Sequence, residues 1–387
     1  MVAEPAAERI LGRLVAAPSA QTSLFESDPG IQSYLKDTVA PLMRELDLRP
    51  EFDAMGNLFT RAGRAGGARV LLFGYAMTHP ANRMLDPFTP RSAAGPDGRV
   101  HLRGRGAAEQ KAAATALLLA AAELRHGQPE LDGEVVVCIS TAGETGRHDA
   151  ARALLAAARE PRFEWAIVGI GTDNKIGLGN KGRLDVSVRV RGRAAHSSTP
   201  WAGLDAVRGA REVMERLDRV ALPGRHPQLG SPTLTVTSIR SFPEATHTVQ
   251  DEVLLTLDRR LLPGDDPERA LGDLRSAAAG LDGWEVELAP GPFMYPSEVA
   301  PDAPLVRLLQ DAAAEIGLGP LGELWSHGAI DAGFFNHEGI PAVMFGPGAP
   351  AMFHTDEESV ALEDVTAAAR LYEVAARKQL MPRRRSR

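Results

Sequence analysis

The residues able to do chemistry in this 387-residue chain fall in short clusters beside apolar runs. One cluster is Tyr75-Ala-Met77-Thr-His79, following the run Arg69-Val-Leu-Leu-Phe-Gly74. A second is Gly104-Arg-Gly-Ala-Ala-Glu109-Gln-Lys111, just ahead of an alanine-rich stretch. A third is Ser140-Thr-Ala-Gly-Glu144-Thr-Gly146, and a fourth Phe353-His354-Thr-Asp356-Glu357 after Phe345-Gly-Pro-Gly348. Between them stand Ala195-His196-Ser-Ser, His247 and Asp258-Arg259-Arg260. Histidines and carboxylates in such company suit general acid–base work or metal ligation. Gly104-Arg-Gly106 is no phosphate loop, because no Gly-Lys-Ser/Thr follows it. The single cysteine, Cys138, excludes an intrachain disulfide and a multi-cysteine metal site. Within Val-Val-Val-Cys-Ile it reads as a buried strand thiol.

The elements that must position these clusters follow from apolar period. Helices are expected near 5–16, 31–46, 108–125 and 149–158, with strands near 69–74, 134–140 and 165–170. Residues 83–103, rich in proline and glycine, read as a loop. Strands alternating with helices imply an α/β domain, a mostly parallel sheet with helices on both faces. In such sheets ligands bind beyond the carboxyl ends of the strands, which is where the clusters fall. At Lys181-Gly182 the style changes: Leu184, Val186, Val188 and Val190 alternate with polar residues, as in a half-exposed antiparallel strand. Helix 203–217, strands 233–239 and 252–260, helix 266–279 and strand 284–288 complete a β-α-β-β-α-β unit, ferredoxin-like in order. After about Pro290 the first style resumes, with helix 303–316, strand 341–346 and helix 362–377. The expected division is 1–182 with 292–387 as one discontinuous α/β domain, and 183–291 as an inserted domain.

Composition bounds the partners. With 43 Lys+Arg against 50 Asp+Glu the formal net charge is −7, which argues against nucleic acid or an anionic membrane. Nothing approaches a membrane-spanning apolar run, and Met1–Arg9 lacks a signal core, so a cytoplasmic protein is expected. Arg383, Arg384, Arg385 and Arg387 make a basic tail that reads as a solvated end.

In order and spacing, these motifs resemble the metallopeptidase family of aminoacylase, acetylornithine deacetylase, succinyl-diaminopimelate desuccinylase and carboxypeptidase G. The best-matched pieces are Gly104-Arg-Gly106, Lys181-Gly182 through Ala195-His196-Ser-Ser, Asp258-Arg-Arg260 with Pro263-Gly264, Ile340-Pro341, and Gly346-Pro-Gly348 with His354-Thr-Asp-Glu357. The resemblance implies a zinc-exopeptidase-like α/β domain, an inserted lid domain that makes a homodimer, and two zinc ions held by histidines and carboxylates around an activated water.

This chain departs from that ligand pattern. Tyr75 stands where the family has a histidine ligand, and Met77 where it has the aspartate that orients it. Glu109 takes the place of the bridging aspartate, and one glutamate, Glu144, remains of a pair, as base or as ligand. Ile170 stands at a further carboxylate position, while His354 keeps the last histidine. The positions of Tyr75, Glu109 and Ile170 therefore leave one ion without a site. The other retains Glu109, Glu144 and His354, enough for at most one divalent metal such as zinc; no metal cofactor is the first expectation. His79 is a substitute ligand or a substrate-facing loop residue. On the substrate side the resemblance is kept. His196 matches a lid histidine that reaches a neighbouring subunit's site and polarises the scissile carbonyl. Arg260 matches an arginine that clamps a substrate carboxylate, His247 an asparagine, and Gly328 a pocket residue.

Each of these has a plainer reading. Tyr75 is a general acid or fills the space of the ion. Glu109 and Glu144 form an acid–base pair or bridge to Lys111 or Arg147. Arg260 clamps a carboxylate or pairs only with Asp258. His101, His126, His148, His226 and His337 have no supporting pattern and read as surface or core residues.

Three functions are compatible. The first is a repurposed enzyme in which Glu109, Glu144, His196, His354 and Tyr75 do acid–base chemistry, such as cyclisation, elimination, isomerisation or acyl transfer, on an acylated amino acid or peptide-like molecule bearing a carboxylate. The second is a single-metal amidohydrolase. The third is a non-catalytic small-molecule-binding protein.

Overall fold

Apolar runs and apolar alternation sort the chain into two different sheets. The computed structural model describes residues 3–126, 131–143, 146–158 and 162–381; Glu144 and the arginines of the tail lie outside them. Two compact units emerge. The first comprises Met1–Gly179, Glu298–Trp325 and Asp331–Arg387, and the second Asn180–Ser297 with Ser326–Ile330. The short piece 326–330, expected from sequence in the α/β domain, clusters instead with the second unit.

The heart of the first unit is four parallel strands in the order Gly133–Ser140, Ala68–Tyr75, Phe163–Gly169, Ala342–Phe345. Every residue of Gly133–Ser140 is buried, as is every residue of Ala68–Tyr75 after the first. Side chains on both faces of these strands are thus covered, which explains why they read as unbroken apolar runs. Cys138 is among them, fully buried, and burial pushes its thiol pKa well up. Leu58–Gly63 extends the sheet antiparallel on one side. Helices Glu4–Ala16, Ala112–His126, Pro304–Glu315 and Leu362–Leu380 supply the packing layer. Among the described residues no helix is long and apolar enough to cross a membrane.

Residues 83–103 are not simply a loop. Strands Arg91–Ala94 and Val100–Arg103 form a hairpin, and Val100–Arg103 pairs on with Ser359–Ala361. The outer strand is exposed at all its residues, so no apolar pattern marks it. The glycines and proline that suggest a loop make its turn, where Gly95 N–H donates to Arg99 O at 2.8 Å. Strand Ile176–Asn180 and helix Ala332–His337 also go unmarked in the sequence, being too short to show a period.

In the second unit the antiparallel order is Thr233–Phe242, Glu252–Leu261, Gly182–Arg191, Glu285–Met294. With helices Ala206–Leu217 and Pro267–Ala278 this is the split β-α-β-β-α-β arrangement. Leu184, Val186, Val188 and Val190 pack on Ala210, Val213, Leu271 and Leu274, whereas the intervening Arg183, Asp185 and Arg189 lie on the other face. Both helices start on an aspartate cap: Asp205 accepts from Val207 N–H and Asp266 from Glu268 N–H, each at 2.9 Å.

One buried ion pair holds the first unit's site end together. Arg105 is fully buried and its Nη1 donates to Glu358 at 2.9 Å. Glu358 also accepts from the backbone of Gly106, Ala108 and Glu109. Replacing Glu358 by alanine strands Arg105 without its carboxylate and frees those N–H groups. A loss of roughly 3–5 kcal/mol is expected in denaturant unfolding, larger than for Glu358→Gln, which keeps the acceptor oxygen.

Candidate functional site

The strand order creates the site. From Ala68–Tyr75 the chain moves to a neighbour on one side, Gly133–Ser140, then returns to the other side as Phe163–Gly169. Such a reversal opens a crevice beyond the carboxyl ends of the two strands that part, here Ala68–Tyr75 and Phe163–Gly169. Tyr75, Met77, His79 and Ile170 are the residues at and just past those ends.

Glu109 reaches the same end on a wide helical turn, Ala107–Lys111, entered through Gly106 at φ 78°. His354 arrives on the loop after Ala342–Phe345. That loop runs close to the Glu109 turn: a Cβ on Gly348 would lie 2.1 Å from Ala108 O, so only glycine permits the approach. His354 Nε2 stands 3.1 Å from Glu109 Oε2. The carboxylate only accepts, so Nε2 carries the proton and Nδ1 is the basic nitrogen of the neutral ring. The His79 ring stacks on His354, with centroids 3.9 Å apart and planes at 16°. His79 Nδ1 donates to Pro80 O at 3.0 Å. His354 also lines a cleft of about 540 Å³ with Asn82, Arg83, Thr355 and Asp356. Lys111 turns away: its Nζ donates to Ala17 O at 2.9 Å, and full burial lowers its pKa to about 7.

Tyr75 belongs to a different group. Its hydroxyl donates to Asp331 Oδ2 at 2.9 Å and accepts from Asp331 N–H at 3.2 Å. His148 Nδ1 donates to the other oxygen, Asp331 Oδ1, at 2.6 Å. All three residues are buried. Burial, and next the charge of Asp331, push the Tyr75 pKa well above the usual phenol value. His148, which reads from sequence as an unremarked surface or core residue, is therefore a core histidine with a charged partner. Glu26 adjoins the group, accepting from the backbone of Arg147 and, at 2.5 Å, of Ala150. Burial first, then the charge of Asp331, raise its pKa to about 7. Asp331 and Glu26 are absent from the residues expected from sequence; the signal within reach is Asp331 three residues beyond Gly328.

The side chains at Tyr75, Met77 and Ile170 do not make a zinc-ligand set. The Tyr75 hydroxyl is committed to Asp331, Met77 is fully buried in the apolar core, and Ile170 has no donor atom. Among the described residues no group of three His, Cys, Asp or Glu is arranged to hold a metal ion. Glu109 and His354 remain as a pair, and Glu144 lies outside the described residues.

The remaining expected residues belong to the second unit. His196 pairs with Thr248 across a two-residue ladder, Ser197 N–H donates to His247 O at 2.8 Å, and His196 Nδ1 lies 2.8 Å from Ser198 Oγ. The structure so brings His196 and His247 together. Arg260 presents Nε and Nη2 to Asp258 at 2.7 and 2.8 Å, the plainer of its two readings. Gly328 N–H donates to Ser326 Oγ at 3.1 Å, and Ser326 O accepts from Lys181 N–H at 3.1 Å.

The family model described as peptidase family M20/M25/M40 matches residues 78–378. The uncharacterized protein YgeY of Escherichia coli is 25% identical over 227 residues, 54% of this chain and 56% of its own length. The match thus spans only about half of that relative. Succinyl-diaminopimelate desuccinylase of Nitrosomonas eutropha is 25% identical over 377 residues, 94% of this chain and 96% of its own. Among solved structures, the metallo-carboxypeptidase Sso-CP2 of Sulfolobus solfataricus superposes with a TM-score of 0.77 at 18% identity, over 97% of this chain and 99% of its own. The last similarity is one of fold, the mixed α/β fold with a mostly parallel central sheet expected from the sequence.

Between pH 4.5, the ordinary value, and about 7 the folded chain binds more protons at Glu26 than the unfolded chain. Its contribution is present below that window and is lost as pH rises through about 7. Glu26→Gln should remove a pH-dependent difference on the order of 3 kcal/mol at most, read as unfolding free energy at pH 5 against pH 7.5. An unchanged slope in the variant would refute the assignment.

Proposed function

Because the chain belongs to peptidase family M20/M25/M40, we propose that it is a peptidase- or deacylase-like enzyme whose acid–base chemistry runs on Glu109 and His354 without a two-zinc centre. The observation that carries this reading is the contrast at one sheet end. The Glu109–His354 pair stands at 3.1 Å, while Met77 packs into the core, the Tyr75 hydroxyl is taken by Asp331 and Ile170 is a buried aliphatic side chain. Glu109 holds Nε2–H, which orients the imidazole so that Nδ1 takes a proton from the substrate and returns it to the leaving or cyclising atom. Glu144 is the further acid–base group of this reading.

The substrate class is an acylated amino acid or small peptide-like molecule with a free carboxylate, and the reaction a cyclisation, elimination, isomerisation or acyl transfer. The name of one relative, a succinyl-diaminopimelate desuccinylase, supports that class. In the second unit His196 is the carbonyl-polarising group. Within that unit Arg260, steadied by Asp258, is the carboxylate-binding group, with His247 and Gly328 as further binding groups; His79 is a candidate binding group of the first unit by itself. A homodimer through the second unit belongs to the same reading. Strand Thr233–Phe242 lies at a sheet edge and exposes Ile239. Sedimentation velocity is expected to give a dimer, converted to monomer by Ile239→Lys.

A second reading has one observation in its favour. Glu109 Oε2 and His354 Nε2 are separated by 3.1 Å, close to the ~3.3 Å between two ligands of one tetrahedral ion. With Glu144 they would make a single-metal amidohydrolase site.

One experiment decides. Purified protein, assayed for metal content, is offered a panel of N-acyl amino acids and dipeptides with and without chelator. Turnover that survives chelation and falls by roughly 10²–10⁴-fold in Glu109→Gln and His354→Asn is expected. One bound metal per chain, with turnover abolished by chelator, favours the second reading and overturns the first.

A further inference from the structure

Three chain segments meet at the Tyr75 hydroxyl. Tyr75 ends the strand Ala68–Tyr75, Asp331 directly precedes the helix Ala332–His337, and His148 directly precedes the helix Asp149–Ala158. The hydrogen bonds of 2.6, 2.9 and 3.2 Å among them are buried, where water does not compete for the same donors and acceptors. Around them the aromatic rings interlock. His148 stacks on Phe334 at 5.1 Å, Phe335 meets Phe73 edge-on at 5.2 Å, and Phe73 meets Tyr75 edge-on at 5.5 Å. By its resemblance to the family, the residue that starts this network stands at a metal-ligand position.

We propose that Tyr75, Asp331 and His148 form a metal-independent anchor, cross-linking by hydrogen bonds the end of the strand Ala68–Tyr75 and the starts of the helices Asp149–Ala158 and Ala332–His337. An ion held by several segments stabilises the fold by joining them. Here a neutral phenol, a carboxylate and an imidazole join three segments through hydrogen bonds alone. Tyr75 and His148 are positioning residues in this scheme, each holding one oxygen of Asp331. The inference rests on the family reading, since that assigns Tyr75 to a ligand position. It does not rest on metal-free catalysis.

The test is thermal unfolding of the full chain, wild type and variants, in chelator and in excess zinc chloride. Tyr75→Phe removes a single oxygen and leaves the aromatic packing. It should lower the midpoint by about 2–6 °C, and by the same amount in both solutions. Asp331→Asn keeps the shape and loses the charge, and the Tyr75→Phe/Asp331→Asn pair should lose less than the sum of the singles, because both cut one bond. Tyr75→Phe with an unchanged midpoint would overturn the anchor. So would a loss that appears only in zinc, which would make Tyr75 a metal ligand. If Asp331→Asn does not fold, Tyr75→Phe in the two solutions still decides. A single zinc at Glu109 and His354 would overturn the metal-free mechanism, yet leave the Tyr75→Phe loss equal in both solutions.

Discussion

The geometry of the candidate site hangs on one buried carboxylate. Glu358 takes Arg105 on one oxygen and, between its two oxygens, the N–H groups of Gly106, Ala108 and Glu109. A helix start has N–H groups with no intrahelical partner. Here that deficit is met by a side chain from elsewhere, so the turn that carries Glu109 is fixed from outside itself. Glu358 lies four residues beyond His354 on the same loop. The backbone that carries Glu109 and the loop that carries His354 are thereby joined through one charge, close to where the two side chains meet at 3.1 Å.

The fold is legible in the sequence wherever burial is two-sided or strictly alternating. Val135–Ile139 and Val70–Phe73 read as covered strands, and Leu184 to Val190 as a half-covered one, and each forms such a strand. The elements that leave no mark have a common cause. Arg91–Ala94 is exposed along its length, Ile176–Asn180 carries two glycines, and Ala332–His337 is under two turns long. None of these buries enough apolar surface in a regular period to write itself into the sequence. Strand order, and with it the crevice between Ala68–Tyr75 and Phe163–Gly169, depends on pairing across distant segments and has no local signature.

The site is legible in part for similar reasons. Glu109 and His354 stand in motifs whose glycines constrain the backbone, so both could be placed near one sheet end. That Tyr75 gives its hydroxyl to Asp331, 256 residues away, cannot be read from either neighbourhood. Asp331 sits between two apolar residues, Ile330 and Ala332, and nothing beside it announces a charge buried against His148. Spatial neighbours determine such networks, and a sequence shows only chain neighbours.

Three of the histidines that matter here share an uncommon backbone. His148, His247 and His354 have φ of 64°, 63° and 61°, the left-handed region that side-chain-bearing residues seldom adopt. Holding a residue there costs on the order of 1–2 kcal/mol, most for those that cannot hydrogen-bond locally. An alanine scan of this chain would therefore mix two quantities at these positions, the lost imidazole and an added conformational penalty. Asparagine and glycine tolerate the same backbone and isolate the first. For this protein the replacement chosen determines whether a mutational map reports chemistry or torsion.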